Sequence, residues 1–164
     1  MGMEYNSTRP TSANGSGAGQ TSDTNNKLGN DSIQIALWIY EQSTGDTVHV
    51  DDQTGIGTYE GRGYSGHGDG LNNPDMENTP NVGPIPQGGY DIGPEQTNVT
   101  NNGTVLPNSM RLTPDPGVAP GRGGFLFHGG NFTTMDSSTG CPVEPLDVRN
   151  QIGNSGDTRL EVIP

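Results

Sequence analysis

GRGGFLFHGGNFTTMDSSTGC, residues 121–141, joins an apolar run to a histidine and to the only cysteine in the sequence. Residues 123–128 have the pattern of a short strand that ends at His128. A polar loop of small residues then leads to Cys141. Because strand ends and loops often present reactive side chains, this stretch is the leading candidate for chemistry.

Cys141 cannot form an intramolecular disulfide, which leaves the roles of buried apolar residue, metal ligand and nucleophile. A thiol with an ordinary pKa of roughly 8.5 is mostly protonated near neutral pH, and the imidazole of His128 can accept its proton or stabilise the thiolate. The preceding Ser-Thr-Gly predicts a tight turn in which the backbone N–H groups of Gly140 and Cys141 face a developing oxyanion. On residue chemistry alone, a packed cysteine beside a merely hydrogen-bonded histidine is the alternative.

The segments GRGGFLFHGG (121–130) and SSTGCPVEPLDVRNQI (137–152) resemble the histidine and cysteine motifs of the YkuD-like L,D-transpeptidase superfamily. Upstream, GYSGHGDGLNNPDMENTPNVGPIPQGGYDIG (63–93) resembles elements of a narrower group, the type VI secretion L,D-transpeptidase effectors. The resemblance runs from about Ile33 to Ile163. It implies a mainly β fold with one or two short helices, the YkuD-like β-sandwich or barrel.

The same resemblance implies an enzyme that acts on peptidoglycan stem peptides, with Cys141 as nucleophile and His128 as base. Transfer of the acyl group to an amine is L,D-transpeptidation, and transfer to water is L,D-carboxypeptidation. An antibacterial effector of this kind implies secretion machinery and an immunity protein as partners. It also implies signal-less export by the type VI route and action in the periplasm of a target cell. No cofactor is expected.

Two departures from the family pattern bear on substrate binding. Cell-wall members usually carry an arginine two residues after the cysteine, where this chain has Val143. Arg122, six residues before His128, is therefore the leading candidate for binding a substrate carboxylate, with Arg62 and Arg149 as weaker candidates. Four further residues are expected to line the cleft: Tyr64, Ser65, Ser138 and Thr139.

The second departure concerns the group that orients the imidazole. The effector group often has an aspartate shortly after the histidine, where this chain reads Gly129, Gly130 and Asn131. Asn131 or Asp136 is expected to orient the ring, and a backbone carbonyl would serve equally well.

The other two histidines are predicted to be solvent-exposed. His49 lies between two valines, an alternation that predicts the solvent face of a strand. His67 lies in GHGDG, where a substrate-loop residue and a metal ligand near Asp69 are the alternatives. This loop lacks the regular oxygen ligands of calcium sites, and no pair of histidine and cysteine residues has zinc-site spacing. No metal site is predicted.

Apolar residues are unevenly distributed. Leu, Ile, Val and Phe total 28 of 164 residues, but only Leu28 falls within residues 1–30. This segment, rich in Ser, Thr, Asn and Gly, is predicted to be a disordered low-complexity tail, either a linker to a secretion module or a frayed terminus. Residues 31–164 are predicted to form one catalytic domain.

Charge and hydropathy exclude some partners. With seven basic and nineteen acidic residues, the chain lacks the basic surface that nucleic acid requires. No signal peptide is recognisable. The longest apolar run, residues 33–40, is shorter than the roughly 20 residues that cross a bilayer, so no membrane insertion is expected.

Short apolar runs separated by turn residues predict a mixed sheet or barrel. Residues 33–40 and 47–50 are predicted to form a hairpin, and further strands are predicted at 55–64, 89–92, 110–112, 124–128 and 159–163. Residues 65–88, interrupted by Gly, Asn and Pro, are predicted to form a long loop around the active site. A helix is predicted to begin at Pro145 and to end at Gly153, because a start at Pro142 would place Pro145 in the helix interior.

Two other interpretations stay open. A papain-like peptidase or amidase usually carries its cysteine on a helix well before the histidine, the reverse of the order here. A non-catalytic envelope-binding β-domain would use Cys141 only for packing. Thiol reactivity separates a packed cysteine from an activated one. A packed cysteine resists alkylation in the native state, whereas an activated cysteine reacts quickly at a pH well below roughly 8.5.

Overall fold

The computed structural model of this chain describes residues 3–4 and 36–164. Within these residues the chain forms nine strands and one α-helix: β1 (Met3–Glu4), β2 (Leu37–Glu41), β3 (Asp46–Val50), β4 (Ile56–Arg62), β5 (Gly88–Ile92), β6 (Gln96–Val99), β7 (Val105–Pro114), β8 (Phe125–Phe127), α1 (Leu146–Ser155) and β9 (Arg159–Ile163). Apart from β1, which pairs with β4, the predicted N-terminal tail lies outside the described residues. The same holds for residues 33–35 of the predicted first strand.

The strands form one mixed sheet in the order β1-β4-β3-β2-β9-β5-β7-β6, and β8 pairs with β7. Neighbouring strands within the described residues are antiparallel except β2 and β9, which are parallel. Parallel neighbours need a long crossover connection, and here the chain from β3 to α1 supplies it. The predicted fold class, mainly β with a short helix, is confirmed.

Strand β2 is buried on both faces. Trp38 and Tyr40 belong to the large core cluster, whereas Ile39 packs with Val48 and Val50 in a smaller one. This alternation follows from the two-residue period of a strand. Complete burial of an apolar side chain of this size contributes about 1.5–3 kcal/mol. The predicted hairpin of β2 and β3 is confirmed, with Gly45 in the left-handed region at φ 77°.

The prediction for His49 was wrong. Its ring stacks on Trp38 with 4.2 Å between ring centroids, and its Nε2 lies 2.5 Å from a carboxylate oxygen of Asp157. The solvent face expected from the valine alternation is therefore covered by Trp38 and by the chain that follows α1. Asp157 is 108 residues away in the sequence, and Trp38 lies opposite His49 only once the hairpin has formed, so the alternation alone cannot reveal either partner.

The helix was predicted, but its bounds differ. Pro145 precedes the first helical residue, and the helix continues through Gly153 to Ser155. Gly156, at φ 75°, ends it in the left-handed conformation that glycine adopts without strain. Val148 and Ile152 attach the helix to the large core cluster. No helix among the described residues is long and apolar enough to cross a membrane.

Residues 65–87 contain no α-helix, as predicted. They are irregular except for single turns of 3-10 helix at Gly68–Gly70 and Pro74–Met76. Strand β6 was missed because its residues, Gln-Thr-Asn-Val, are mostly polar. Pairing with the longer β7 stabilises it as an outer strand of the sheet.

Candidate active site

Strand β8 determines the direction in which His128 points. Phe125 and Phe127 belong to the large core cluster, so Leu126 and His128 face the opposite side of the strand. The strand end is held by two backbone hydrogen bonds: the N–H of His128 donates to the carbonyl of Pro142 at 3.2 Å, and the N–H of Glu144 donates to the carbonyl of His128 at 2.9 Å. The chain just after Cys141 is thereby fixed beside the histidine.

The thiol of Cys141 lies against the same strand. Its Sγ accepts a hydrogen bond from the N–H of Leu126 at 3.4 Å and donates to the carbonyl of Gly124 at 3.7 Å. Cys141 and His128 both line a cavity of about 610 Å³. A smaller cavity of about 300 Å³ also reaches Cys141. No hydrogen bond joins the sulfur to the imidazole in this unliganded geometry.

Ser138 organises the turn before the cysteine. Its Oγ accepts hydrogen bonds from the N–H groups of Gly66 at 2.9 Å and Gly140 at 3.0 Å, and donates to the carbonyl of Cys141 at 2.6 Å. Gly140 has φ 140°, and a Cβ there would collide with Arg122. The predicted turn is present, but the N–H of Gly140 is engaged by Ser138. An oxyanion would be left with the N–H of Cys141.

Tyr64 and Ser65 are completely buried, so the prediction that they line the cleft was wrong. The Tyr64 hydroxyl donates to the carbonyl of Asn131 at 2.8 Å, and the Ser65 hydroxyl donates to the carbonyl of Gly140 at 2.9 Å. Both residues support the loop that leads to the cysteine. Ser138 is also buried, whereas Thr139 is exposed and lines both cavities.

Arg122 lies beside the smaller cavity, but its guanidinium already binds backbone carbonyls. It donates to Glu77, to Pro84 at 2.6 Å and to Gly83 at 3.0 Å, and it lies 5.4 Å from the centre of the Phe125 ring. These contacts connect the long loop to the chain before β8. The prediction of a carboxylate-binding Arg122 is therefore corrected, because both of its Nη atoms already donate to backbone carbonyls.

The two weaker arginine candidates are also occupied. Arg149 is buried, and its guanidinium donates to the carbonyls of Glu144 at 3.0 Å, Pro107 at 3.1 Å and Asn108 at 2.7 Å. Arg62 forms an ion pair with Asp46 at 2.6 Å.

A backbone carbonyl orients the imidazole. Nδ1 of His128 lies 2.7 Å from the carbonyl oxygen of Gly129. Because a carbonyl only accepts, Nδ1 carries a proton, and Nε2 of the neutral ring keeps its lone pair. The predictions for Asn131 and Asp136 were wrong: Asn131 Oδ1 accepts the N–H groups of the next loop turn, and Asp136 accepts the hydroxyl of Thr134 at 2.6 Å.

Burial favours the uncharged forms of the Cys141 thiol and the His128 imidazole. It raises the pKa of the Cys141 thiol, and the N–H of Leu126 and the charge of Arg122 only partly oppose this. Burial also lowers the pKa of His128; the hydrogen bond to Gly129 partly opposes this shift, and the charge of Arg149 adds to it. Near neutral pH the cavity therefore contains a thiol and a neutral imidazole, a pair suited to proton transfer during nucleophilic attack.

Glu144 was not recognised from the sequence. Its completely buried carboxyl accepts the hydroxyl of Thr47 at 2.5 Å, and burial raises its pKa to about 8. A glutamate between a valine and a proline carries no signal of such burial. Arg111 was also missed: it lines the larger cavity but lies in a strand whose pattern indicated only a short apolar run.

His67 is partly buried rather than exposed, and its Nδ1 has no hydrogen-bond partner among the described residues. Its backbone N–H donates to the carbonyl of Val82 at 3.0 Å, which fixes the loop. In the described part of the chain, no group of three or more His, Cys, Asp or Glu side chains could hold a metal ion.

Comparison with known proteins gives one structural and one family match. No curated protein matches the chain. The catalytic domain of an L,D-transpeptidase from E. faecium, solved by NMR, is similar with a TM-score of 0.45 and 14% identity, covering 79% of this chain and 98% of that domain. The Tlde1 domain, that of type VI L,D-transpeptidase effector 1, matches residues 60–144. Since this match spans more than half of the sequence, the chain belongs to the Tlde1 domain family, as its motifs predicted.

Proposed function

We propose that this protein is a cysteine-dependent enzyme of peptidoglycan stem peptides, an L,D-transpeptidase or L,D-carboxypeptidase. The observation that carries the proposal is the placement of the Cys141 thiol and the neutral His128 imidazole on the wall of one cavity. Membership of the Tlde1 domain family supports the choice of substrate.

In the proposed first step, the sulfur of Cys141 attacks the carbonyl carbon between the L-centre and the terminal D-alanine. The thiol proton passes to Nε2 of His128, and the oxygen of the tetrahedral intermediate accepts the N–H of Cys141. The C–N bond then breaks, D-alanine leaves with the proton from Nε2, and a thioester forms. Because the two side chains are not hydrogen-bonded in the free protein, they must approach more closely when substrate binds.

In the second step, the acceptor attacks the thioester and Nε2 of His128 removes its proton. An amine, such as that of a free D-amino acid, forms a new amide and completes transpeptidation. Water forms a carboxylate and completes carboxypeptidation. In both cases the sulfur leaves and recovers its proton from the imidazole.

The proposed biological role is that of an antibacterial effector delivered by type VI secretion machinery into the periplasm of a target cell. Removal or exchange of the terminal D-alanine would deprive cross-linking of its donor peptides. A cell that makes the protein would then need an immunity protein to guard its own wall.

Mass spectrometry of purified tetrapeptide muropeptides tests the proposal. Wild-type protein should remove D-alanine or exchange it for an added D-amino acid, and Cys141→Ala should do neither. His128→Gln should react about 10²- to 10⁴-fold more slowly, the usual contribution of a general base.

Thermal melting of each variant serves as the folding control. Unchanged muropeptides with folded wild-type protein would contradict the enzymatic proposal and favour the envelope-binding β-domain. Equal conversion by folded Cys141→Ala would exclude the cysteine as the nucleophile.

A further inference from the structure

Arg111 lies on strand β7, directly opposite Leu126 of strand β8. Its neighbours Met110 and Leu112 point into the large core cluster, so Arg111 faces the opposite side of the sheet. Leu126 faces that side too, and its N–H holds the sulfur of Cys141. Arg111 therefore stands one strand away from the thiol, and it lines the larger cavity.

The guanidinium of Arg111 has no partner, unlike those of the other arginines in the described chain. Arg62 and Arg159 pair with carboxylates, and Arg122 and Arg149 donate to backbone carbonyls. Arg111 is exposed, and its side chain makes no hydrogen bond or ion pair within residues 36–164. Such freedom is unexpected in a sequence with nineteen acidic and seven basic residues.

The charges of the cavity restrict what Arg111 can meet. Apart from the titratable pair Cys141 and His128, the lining residues that carry charge are Arg111 and Asp136. The carboxylate of Asp136 is occupied by the hydroxyl of Thr134. Arg111 is thus the permanently charged cation of the cavity, and its guanidinium N–H groups are available to solvent or to a ligand.

We propose that Arg111 binds the terminal carboxylate of the acyl-donor peptide and so selects donors with a free C-terminus; this inference rests on the function proposed above. A guanidinium offers two parallel N–H donors that match both oxygens of a carboxylate. Binding of the substrate carboxylate, the role expected for Arg122, then belongs to Arg111 on β7, the strand that pairs with β8. Arg111 is a substrate-binding residue in this scheme and takes no part in proton transfer.

Calorimetric titration of the Cys141→Ala protein tests this inference without turnover. The two ligands are a stem tetrapeptide with a free C-terminal carboxylate and the same peptide with a C-terminal amide. Adding Arg111→Gln should weaken binding of the carboxylate peptide by about tenfold or more, as expected for a lost charge-assisted hydrogen bond, and should leave binding of the amide peptide unchanged. Adding Arg111→Lys should restore part of the difference, because lysine keeps the charge but not the two-pronged geometry.

Arg62→Gln, which removes the same charge from β4, is the matched control and should bind both peptides like the parent. Three results would each overturn the role of Arg111. Arg111→Gln could weaken binding of the two peptides equally, it could weaken binding of neither, or folded Cys141→Ala protein could bind neither peptide. The proposed function fails separately, if protein with Cys141 intact binds the carboxylate peptide but never converts it.

Discussion

The thiol of Cys141 shows how burial can oppose activation by a neighbour. Because burial raises its pKa, we expect the free protein to react with iodoacetamide more slowly at neutral pH than an unstructured cysteine peptide does. Slow alkylation of the free protein therefore does not by itself indicate a packed, non-catalytic cysteine. The reaction midpoint should lie above the ordinary pKa of a cysteine. Alkylation followed by mass spectrometry across a pH series measures both.

His128→Gln provides the control for that experiment. Since no hydrogen bond joins the two side chains in the free protein, this variant should be alkylated at nearly the wild-type rate. Rapid alkylation of wild-type protein at acidic pH, abolished by His128→Gln, would instead reveal a preformed thiolate–imidazolium pair and contradict the burial argument.

Glu144 makes stability depend on pH. Its pKa rises from 4.5 to about 8 on folding, so the folded protein retains a proton that the unfolded chain releases over this range. The contribution of Glu144 to stability is therefore complete below about 4.5 and is lost as pH rises through about 8. Melting temperatures of the wild type should fall across this window, and those of Glu144→Gln should fall less.

The matched variant is Glu60→Gln, which replaces a partly exposed carboxylate on β4 and should keep the wild-type decline. A parallel decline in Glu144→Gln and wild type would show that the buried carboxyl does not control this pH dependence. His128, whose lowered pKa acts in the opposite direction, is present in both the wild type and Glu144→Gln. Subtracting one curve of melting temperature against pH from the other therefore removes its contribution.

The sequence predicted that His128 and Cys141 belong to one site, because a strand-end histidine and a lone cysteine after a small-residue turn form a local pattern, and both residues line the larger cavity. It could not assign Arg122 correctly, since the carbonyls that occupy its guanidinium belong to residues 77–84. Burial of Tyr64 and Ser65 likewise results from packing against a loop distant in sequence. Side chains whose partners are far along the chain are those that the sequence leaves undetermined.

At the level of elements, Arg122 holds the long loop of residues 65–87 against the chain before β8. Arg122→Gln removes the donors to the carbonyls of Glu77, Gly83 and Pro84, and should destabilise the fold by about 1–3 kcal/mol. Amide exchange in residues 77–84 should accelerate more than exchange in β2. Exchange mass spectrometry and urea unfolding measure the two effects.

Arg62→Gln again serves as the comparison, because its ion pair with Asp46 is exposed on the guanidinium side and contributes little. Uniform acceleration of exchange throughout the sheet, or none in the loop, would show that the arginine does not brace this segment.

Elements with strong local signals were predictable. The turn residues between β2 and β3 indicated their hairpin, and Pro145 indicated the start of α1 to within one residue. The end of α1 was not predictable, because Gly153 and Gly156 are equally plausible helix ends in the sequence. Only Gly156 adopts the left-handed conformation. Strand β6 depends on its pairing with β7, which its polar residues do not indicate.

For the whole molecule, the net charge of −12 predicts a response to salt. Raising ionic strength from about 0.01 M to about 0.15 M shortens the screening length from roughly 30 Å to roughly 8 Å, which weakens repulsion among the excess carboxylates. The melting temperature at neutral pH should therefore increase over this range. A decrease would mean that screening of ion pairs such as Arg159–Asp115 outweighs relief of the repulsion.

The position of β9 has a consequence for synthesis. This strand, which follows all the others in the sequence, lies between β2 and β5 and is the sheet's link between β1–β4 and β5–β8. A nascent chain therefore cannot complete its sheet until the ribosome has released residues 159–163, long after Cys141 and His128 have emerged. Contacts between such distant segments form late and slowly. Until β9 joins β2 to β5, the thiol therefore belongs to an unfinished sheet.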